Sequence, residues 1–250
     1  NVTLKISGEF QPELSDFENR WSDSVKGILL SSPANPTGVV VRKSNLRQLK
    51  KFVDKKQGFL IVDEIYQGIH LGNSTYESAL AVDQQIYILN SFSKYYSMTG
   101  WRLGWVVVPC ETAEFFTRLA QNIFLAPNTV SQYAALEAFN DQCLAIHEDR
   151  VQIVRQRMRA LCEGLLDQGF TIPVRPEGGF YVFVDVSHTG LDSHDFCLKM
   201  LMEYGVAITP AHDFSHHYGK DHVRFSCSTD LDAIYLGLDR LRSALADWGI

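Results

Sequence analysis

The sequence predicts an α/β fold: part of a mostly parallel sheet over residues 1–145, then a smaller α+β C-terminal domain over residues 146–250. Two observations carry this. Four short apolar runs in the first half are separated by helical or looped crossovers, as parallel strands require. After Pro109 long helical stretches dominate, with only brief strand-like runs between them.

The first run, Val25 to Leu30, is continuously apolar, the pattern of a strand covered on both faces. Ser44 precedes a helical stretch in which Leu46, Leu49, Phe52 and Val53 share a face, and Gly58 stops it. Phe59 to Val62, Ile86 to Leu89 and Leu103 to Val108 are the next strands. Local pattern does not set the direction of each strand. Ala113 to Gln121, Thr129 to Phe139 and Leu144 to Asp167 read as helices. A strand over Phe180 to Val184 and a helix over Asp195 to Tyr204 follow. Then come strands at Val206 to Thr209 and Val223 to Ser226, and a helix from Leu231 to about Ala246. The domain boundary falls inside the long helix, near residue 145.

Composition narrows the function classes. The chain has 250 residues, 46% of them hydrophobic and 21% charged, enough to bury a sizeable core. A net charge of -6 argues against a nucleic-acid surface, which needs a basic face. Arg155, Arg157 and Arg159 read as the solvated side of a helix. Cys110, Cys143, Cys162, Cys197 and Cys227 are odd in number and contain no C-x-x-C, so a reduced, cytoplasmic setting is expected. No apolar run approaches the roughly 18 to 20 residues of a membrane span. The opening Asn-Val-Thr-Leu-Lys-Ile lacks Met and starts within a strand-like alternation, so a cut edge is expected there.

In parallel sheets, ligands bind at the carboxyl ends of strands. The first run leads into SSPANPTG (Ser31 to Gly38), the second into Asp63-Glu64-Ile65-Tyr66, and the third into Ser91-Phe92-Ser93-Lys94 and Thr99-Gly100-Trp101-Arg102. An amide, a carboxylate, a phenol, hydroxyls, an amine and a guanidinium thus come from three strand ends. That set suits an anionic, ring-bearing ligand. Singly, each has a plainer account: a turn at Asn35, a helix cap at Asp63, a core ring at Tyr66, surface charges at Lys94 and Arg102. His212, His216 and His217 lack carboxylates or cysteines at ligand spacing, so no metal site is expected. Ser31 and Ser93 are not at a G-x-S-x-G elbow.

Together, SSPANPTG, DEIY and SFSKYYSMTGWRLGW resemble the signatures of class I/II aminotransferases, of the fold-type I pyridoxal-phosphate family, in order and spacing. The likeness continues through PEGGFY (Pro176 to Tyr181) and VRFS (Val223 to Ser226). It implies a pyridoxal 5'-phosphate enzyme that moves an amino group between an α-amino acid and a 2-oxo acid. Lys94 would hold the cofactor covalently and move a proton at the substrate α-carbon. Asp63 would pair with the ring nitrogen. Asn35 and Tyr66 would donate to the ring oxygen, and Ser91 and Arg102 would hold the phosphate. Arg224 would clamp the substrate carboxylate. A homodimer is implied, without nucleic-acid or membrane partners.

By the same likeness, roughly 150 family residues would precede Asn1. They include a phosphate-binding loop and an aromatic stacked on the cofactor. The 250-residue piece is therefore expected to be an inactive fragment of an active enzyme. A C–S lyase stays open as an alternative, although such relatives tend to carry histidine where Tyr66 stands. A non-enzymatic, cofactor-binding aminotransferase-like module also stays open. The identities of the amino acid and oxo acid are not encoded in any motif.

Overall fold

The computed structural model describes residues 2, 4–72 and 76–250. Asn1 and Thr3 of the strand-like opening lie outside the described residues. Ile6–Gly8 forms a 3-10 turn instead of a strand. The amides of Gly8 and Phe10 both go to the Lys5 carbonyl, and Glu9 and Phe10 take positive φ. Those donors are spent locally and cannot enter a ladder.

The first sheet has the order β1-β2-β3-β4, with β1 at Gly27–Ser31, β2 at Phe59–Asp63, β3 at Tyr87–Ser91 and β4 at Gly104–Val107. The first three strands are parallel and β4 is antiparallel to β3. Register sets Ser31 opposite Asp63 and Asp63 opposite Leu89, so the carboxyl ends of β1, β2 and β3 lie side by side. One face is sealed. Ile28, Leu60, Val62 and Ile88 pack with Leu46, Leu49, Phe52 and Val53 of α2 (Lys43–Lys55). The expectation of cover on both faces is corrected for the other side. Leu29 is 65% exposed, and Phe59, Leu89 and Val106 are exposed with it. A continuous apolar run records the hydrophobicity of both faces, not which described element meets each.

Helix α2 also begins differently from expectation. Its N-cap is Arg42, which makes no side-chain cap bond, and Ser44 donates to Asn45 Oδ1 at 3.1 Å instead. Short α1 (Leu14–Glu18) packs against α2 through Phe17. Helices α3 (Ala113–Phe124) and α4 (Thr129–Glu137) follow the first sheet.

The second sheet is antiparallel, with β5 (Tyr181–Asp185), β7 (His222–Ser226) and β6 (Thr209–Pro210) in the order β5-β7-β6. It packs on α5 (Asp141–Leu166), α6 (Ser193–Tyr204) and α7 (Leu231–Trp248). Val151, Met158, Leu161, Cys162 and Leu165 form the buried stripe of α5. The strand expected at Val206 to Thr209 shrinks to Thr209–Pro210. Gly205, at φ 64°, ends α6, and the Val206 amide bonds back to the Met200 carbonyl at 2.9 Å. This helix-closing bond uses the donor that a strand would need.

Burial lowers the proton affinity of three histidines. His222 is 4% exposed, is stacked on Phe183, and has no hydrogen-bond partner among the described residues on either ring nitrogen. Burial holds His70, His147 and His222 below the ordinary histidine value of 6.5. The unfolded chain therefore takes these protons first as pH falls below 6.5, and stability present above that value is lost. Asp63 and Glu64, raised by burial, act in the opposite sense but nearer the carboxylate range. The melting temperature is expected to fall between about pH 7.5 and about pH 5.5, and less steeply in His222→Phe. A melting temperature flat over that range, read by calorimetry, would refute the assignment.

Candidate functional site

The loop after β1 folds back on itself. Gly38 donates to the Ala34 carbonyl at 2.7 Å, and Val39 accepts from the Ala34 amide. Gly38 has φ 70°, and a Cβ there would stand 2.4 Å from Pro176 Cβ, so no other residue fits. The Gly38 carbonyl accepts from the amides of Glu177 and Gly178. Leu71 donates to the Glu177 carbonyl, and Gly179 donates to that of Ile69. Residues 176–179 thus stitch the loop after β1 to the segment after β2. They deliver Phe180 and Tyr181 beside Tyr66, at ring-centroid separations of 5.4 and 6.0 Å.

Asp63 closes β2. Its Oδ1 accepts from the Ile65 amide at 3.0 Å, which closes a turn and not a helix cap. Burial raises its carboxyl above the usual range, and this amide partly offsets the effect. No ion pair among the described residues includes it. Adjacent Glu64 is 4% exposed and points elsewhere, accepting from Ala79 N and Ser78 Oγ. Tyr66 is 5% exposed. Burial first, then Tyr181, pushes its hydroxyl well above the ordinary tyrosine range, while Arg224 pulls it back.

Lys94 sits in a tight turn after β3. Ser97 donates to its carbonyl at 3.0 Å, and Thr99 Oγ1 donates to the Ser93 carbonyl at 2.6 Å. Lys94 Nζ lies 5.8 Å from the Tyr66 ring centroid and 5.7 Å from that of Phe180. Ser91 Oγ accepts from the Ser93 amide at 3.0 Å and lies 3.1 Å from the Leu103 carbonyl. Arg102 is exposed, with φ 51°, and its guanidinium folds back on the Thr99 carbonyl at 3.1 Å. No hydrogen bond among the described residues joins it to Ser91 or Lys94.

Arg224, on β7, reaches the first sheet. Its Nη1 donates to Asn35 Oδ1 at 2.8 Å, and its Nη2 donates to Thr209 Oγ1 at 3.2 Å. Its guanidinium carbon is 4.0 Å from the Tyr181 ring centroid and 4.8 Å from that of Phe214. Asn35, Tyr66, Lys94 and Arg224 are therefore linked through shared neighbours, with Asp63 within electrostatic range of Tyr66. Thr209, Tyr181 and Phe214 were not singled out from sequence. Tyr181 lies within the PEGGFY run, which is a usable signal; Phe214 has none. Arg155 corrects the solvated-face expectation, since its Nε donates to the His70 carbonyl at 2.6 Å. A groove of about 880 Å³ runs along β1 to Asn35 and Phe214, where it meets the site, but Lys94, Asp63 and Tyr66 do not line it.

A mixed sheet with an amine, a phenol and a carboxylate at its strand ends, and an arginine delivered from a second sheet, defines a fold-type I transferase architecture. The chain belongs to the class I and II aminotransferase family, which matches residues 1–241. It is similar to the valine–pyruvate aminotransferase of Mycobacterium tuberculosis, at 36% identity over 88% of this chain and 57% of that protein. It is also similar to the (5-formylfuran-3-yl)methyl phosphate transaminase of Methanocaldococcus jannaschii, at 34% identity over 94% of this chain and 63% of that protein. Among solved structures, an aminotransferase from Mycobacterium tuberculosis superposes with a TM-score of 0.91 at 34% identity, covering 96% of this chain and 62% of that one. The aspartate aminotransferase of Thermotoga maritima superposes with a TM-score of 0.88 at 33% identity, covering 98% of this chain and 63% of that one. The chain thus spans less than two thirds of the length of these relatives. No helix among the described residues is long and apolar enough to cross a membrane.

Proposed function

We propose that the whole protein transfers an amino group between an α-amino acid and a 2-oxo acid, using pyridoxal 5'-phosphate. The observation that carries this is the linkage of Lys94, Tyr66, Asn35 and Arg224 across two sheets. The cofactor supplies an electron sink for the bonds of the substrate α-carbon. The donor set fits it. Asp63 is a half-buried carboxylate with no ion-pair partner among the described residues, and a protonated ring nitrogen there would lower its raised affinity for protons. Asn35 and Tyr66 offer donors for a ring oxygen. Ser91 and Arg102 are the residues for the phosphate. Arg102 must turn from the Thr99 carbonyl to reach it, a change open to an exposed side chain. Lys94 binds the cofactor and carries the proton to and from the α-carbon. Arg224 takes the substrate carboxylate, with a planar fork suited to bidentate bonds.

Residues 1–145 act as the cofactor-binding part and residues 146–250 as the smaller domain. A homodimer fits the exposed apolar side chains of α3 and α4, including Ile123, Phe124, Val130 and Tyr133, which suit burial against another chain. A cytoplasmic location is consistent with five unpaired cysteines.

The test is a single turnover. The whole protein, loaded with pyridoxal phosphate, is mixed with each amino acid in turn and no oxo acid. One equivalent of the matching 2-oxo acid should form, and the visible absorption of the lysine-bound cofactor should fade. An added 2-oxo acid should restore it. Release of ammonia and a thiol from a thioether amino acid would instead identify a lyase. No change with any amino acid would sink the proposal in favour of a binding module.

A further inference from the structure

The Arg224 guanidinium is held on every side that the described residues reach. Asn35 Oδ1 and Thr209 Oγ1 take one proton from each terminal nitrogen, at 2.8 and 3.2 Å. Tyr181 and Phe214 lie against the guanidinium, at 4.0 and 4.8 Å from ring centroid to Cζ. Nε is buried without a hydrogen-bond partner among the described residues. The four holders come from four places: the loop after β1, β6, β5, and the turn that follows Ala211–Asp213. The cross-strand register sets Thr209 beside Arg224, while Phe183 and not Tyr181 is its direct partner on β5. The Tyr181 ring therefore reaches Arg224 diagonally across the sheet.

An arginine has many rotamers, and a carboxylate that binds a free one must meet the entropy cost of fixing it. Two hydrogen bonds alone leave the side chain free to swing when a ligand competes for the same donors. Aromatic faces do not compete, because they touch the guanidinium plane and leave its N–H edge open. Here that edge is the part a carboxylate needs. Tyr181 has a second link, since its ring lies 6.0 Å from that of Tyr66, whose face is approached by the Lys94 amine.

We propose that Tyr181 and Phe214 are positioning residues for carboxylate recognition. Their rings hold the Arg224 guanidinium flat and oriented, so that substrates with an α-carboxylate are selected over amines that lack one. The proposal rests on the carboxylate role of Arg224 given above. It extends that role to two residues that touch neither the carboxylate nor the reacting atoms.

The experiment uses the whole protein loaded with pyridoxal phosphate, with variants Tyr181→Leu, Phe214→Leu, Tyr181→Phe and Arg224→Lys. Calorimetric binding of 3-phenylpropanoate, an unreactive carboxylate, is the first readout. Single-turnover rates with alanine and with ethylamine, which lacks the carboxylate, are the second. Each leucine variant is expected to bind 3-phenylpropanoate roughly 3- to 10-fold more weakly, the size of one cation–π contact. In Phe214→Leu, which does not contact Tyr66, the alanine half-reaction should need a higher half-saturating concentration with its limiting rate changed less than about twofold, and the ethylamine half-reaction should keep its rate. Tyr181→Phe keeps the ring and should bind the carboxylate as the parent does. Wild-type binding in both leucine variants, with binding lost in Arg224→Lys, overturns the proposal and leaves the Arg224 role standing. Wild-type binding in Arg224→Lys overturns that role itself. Equal losses for alanine and ethylamine in Phe214→Leu overturn the proposal in favour of a general packing role. If Tyr181→Leu fails to fold, Phe214→Leu, on a surface turn, decides alone by the same outcomes.

Discussion

Lys94→Ala in the whole protein is expected to abolish the visible absorption of lysine-bound pyridoxal phosphate and to slow amino-group transfer by roughly several orders of magnitude. Its side chain is asked for two tasks, covalent attachment and proton transfer at the α-carbon. No neighbour can take over either. Tyr66 has a hydroxyl pushed far up by burial, which makes it a poor base. Asp63 is engaged with the Ile65 amide. The turn that presents Lys94 is braced by the Thr99 hydroxyl on the Ser93 carbonyl and by the Met98 amide on that of Phe92. Alanine should therefore leave the fold unchanged. Lys94→Arg keeps a cation but cannot lose a proton near neutral pH, so it should be equally inactive. A retained absorption band with retained transfer in Lys94→Ala would overturn the assignment.

Phe196→Ala is expected to cost about 3–5 kcal/mol of folding stability. Phe196 lies on α6, fully buried, with Phe170 at 6.2 Å and Trp248 at 5.9 Å between ring centroids. It sits in the core shared by α5, α6, α7 and the second sheet. A cavity there is bounded by helices and strands that cannot collapse into it. With typical stabilities of about 5–15 kcal/mol, much of the margin would be lost. The midpoint of urea unfolding measures this. A loss below about 1 kcal/mol would mean that the core relaxes around the gap.

Strand positions in the first half were legible because the first three apolar runs give way to polar residues, Ser31, Asp63 and Asn90, at the strand ends, and the fourth gives way to Pro109. Phe59–Asp63 and Gly104–Val107 follow the expected runs closely. The direction of β4 was not legible, because antiparallel and parallel partners can share one local pattern. The strand expected over Val206 to Thr209 failed because β-favouring residues cannot overrule a helix end that claims the Val206 amide. Exposure of Leu29 was invisible for a related reason. Hydrophobicity says what would gain from cover, not what covers it.

The individual groups of the candidate site were readable because chemistry at strand ends leaves residue types in fixed order: Asn35, Asp63, Tyr66, Ser91, Lys94 and Arg102. The sequence by itself also determined the family, through motifs spread over nearly the whole chain. Only the tertiary structure decided which groups meet. Arg224 bonds Asn35 across 189 positions, and Phe214 reaches the same guanidinium from a turn with no motif of its own. Arg102, next in line by spacing, turns toward Thr99 instead. Spacing along one strand and its loop is set by local backbone geometry, so it survives in sequence. A contact between two sheets depends on how every intervening core packs, and no local pattern records that.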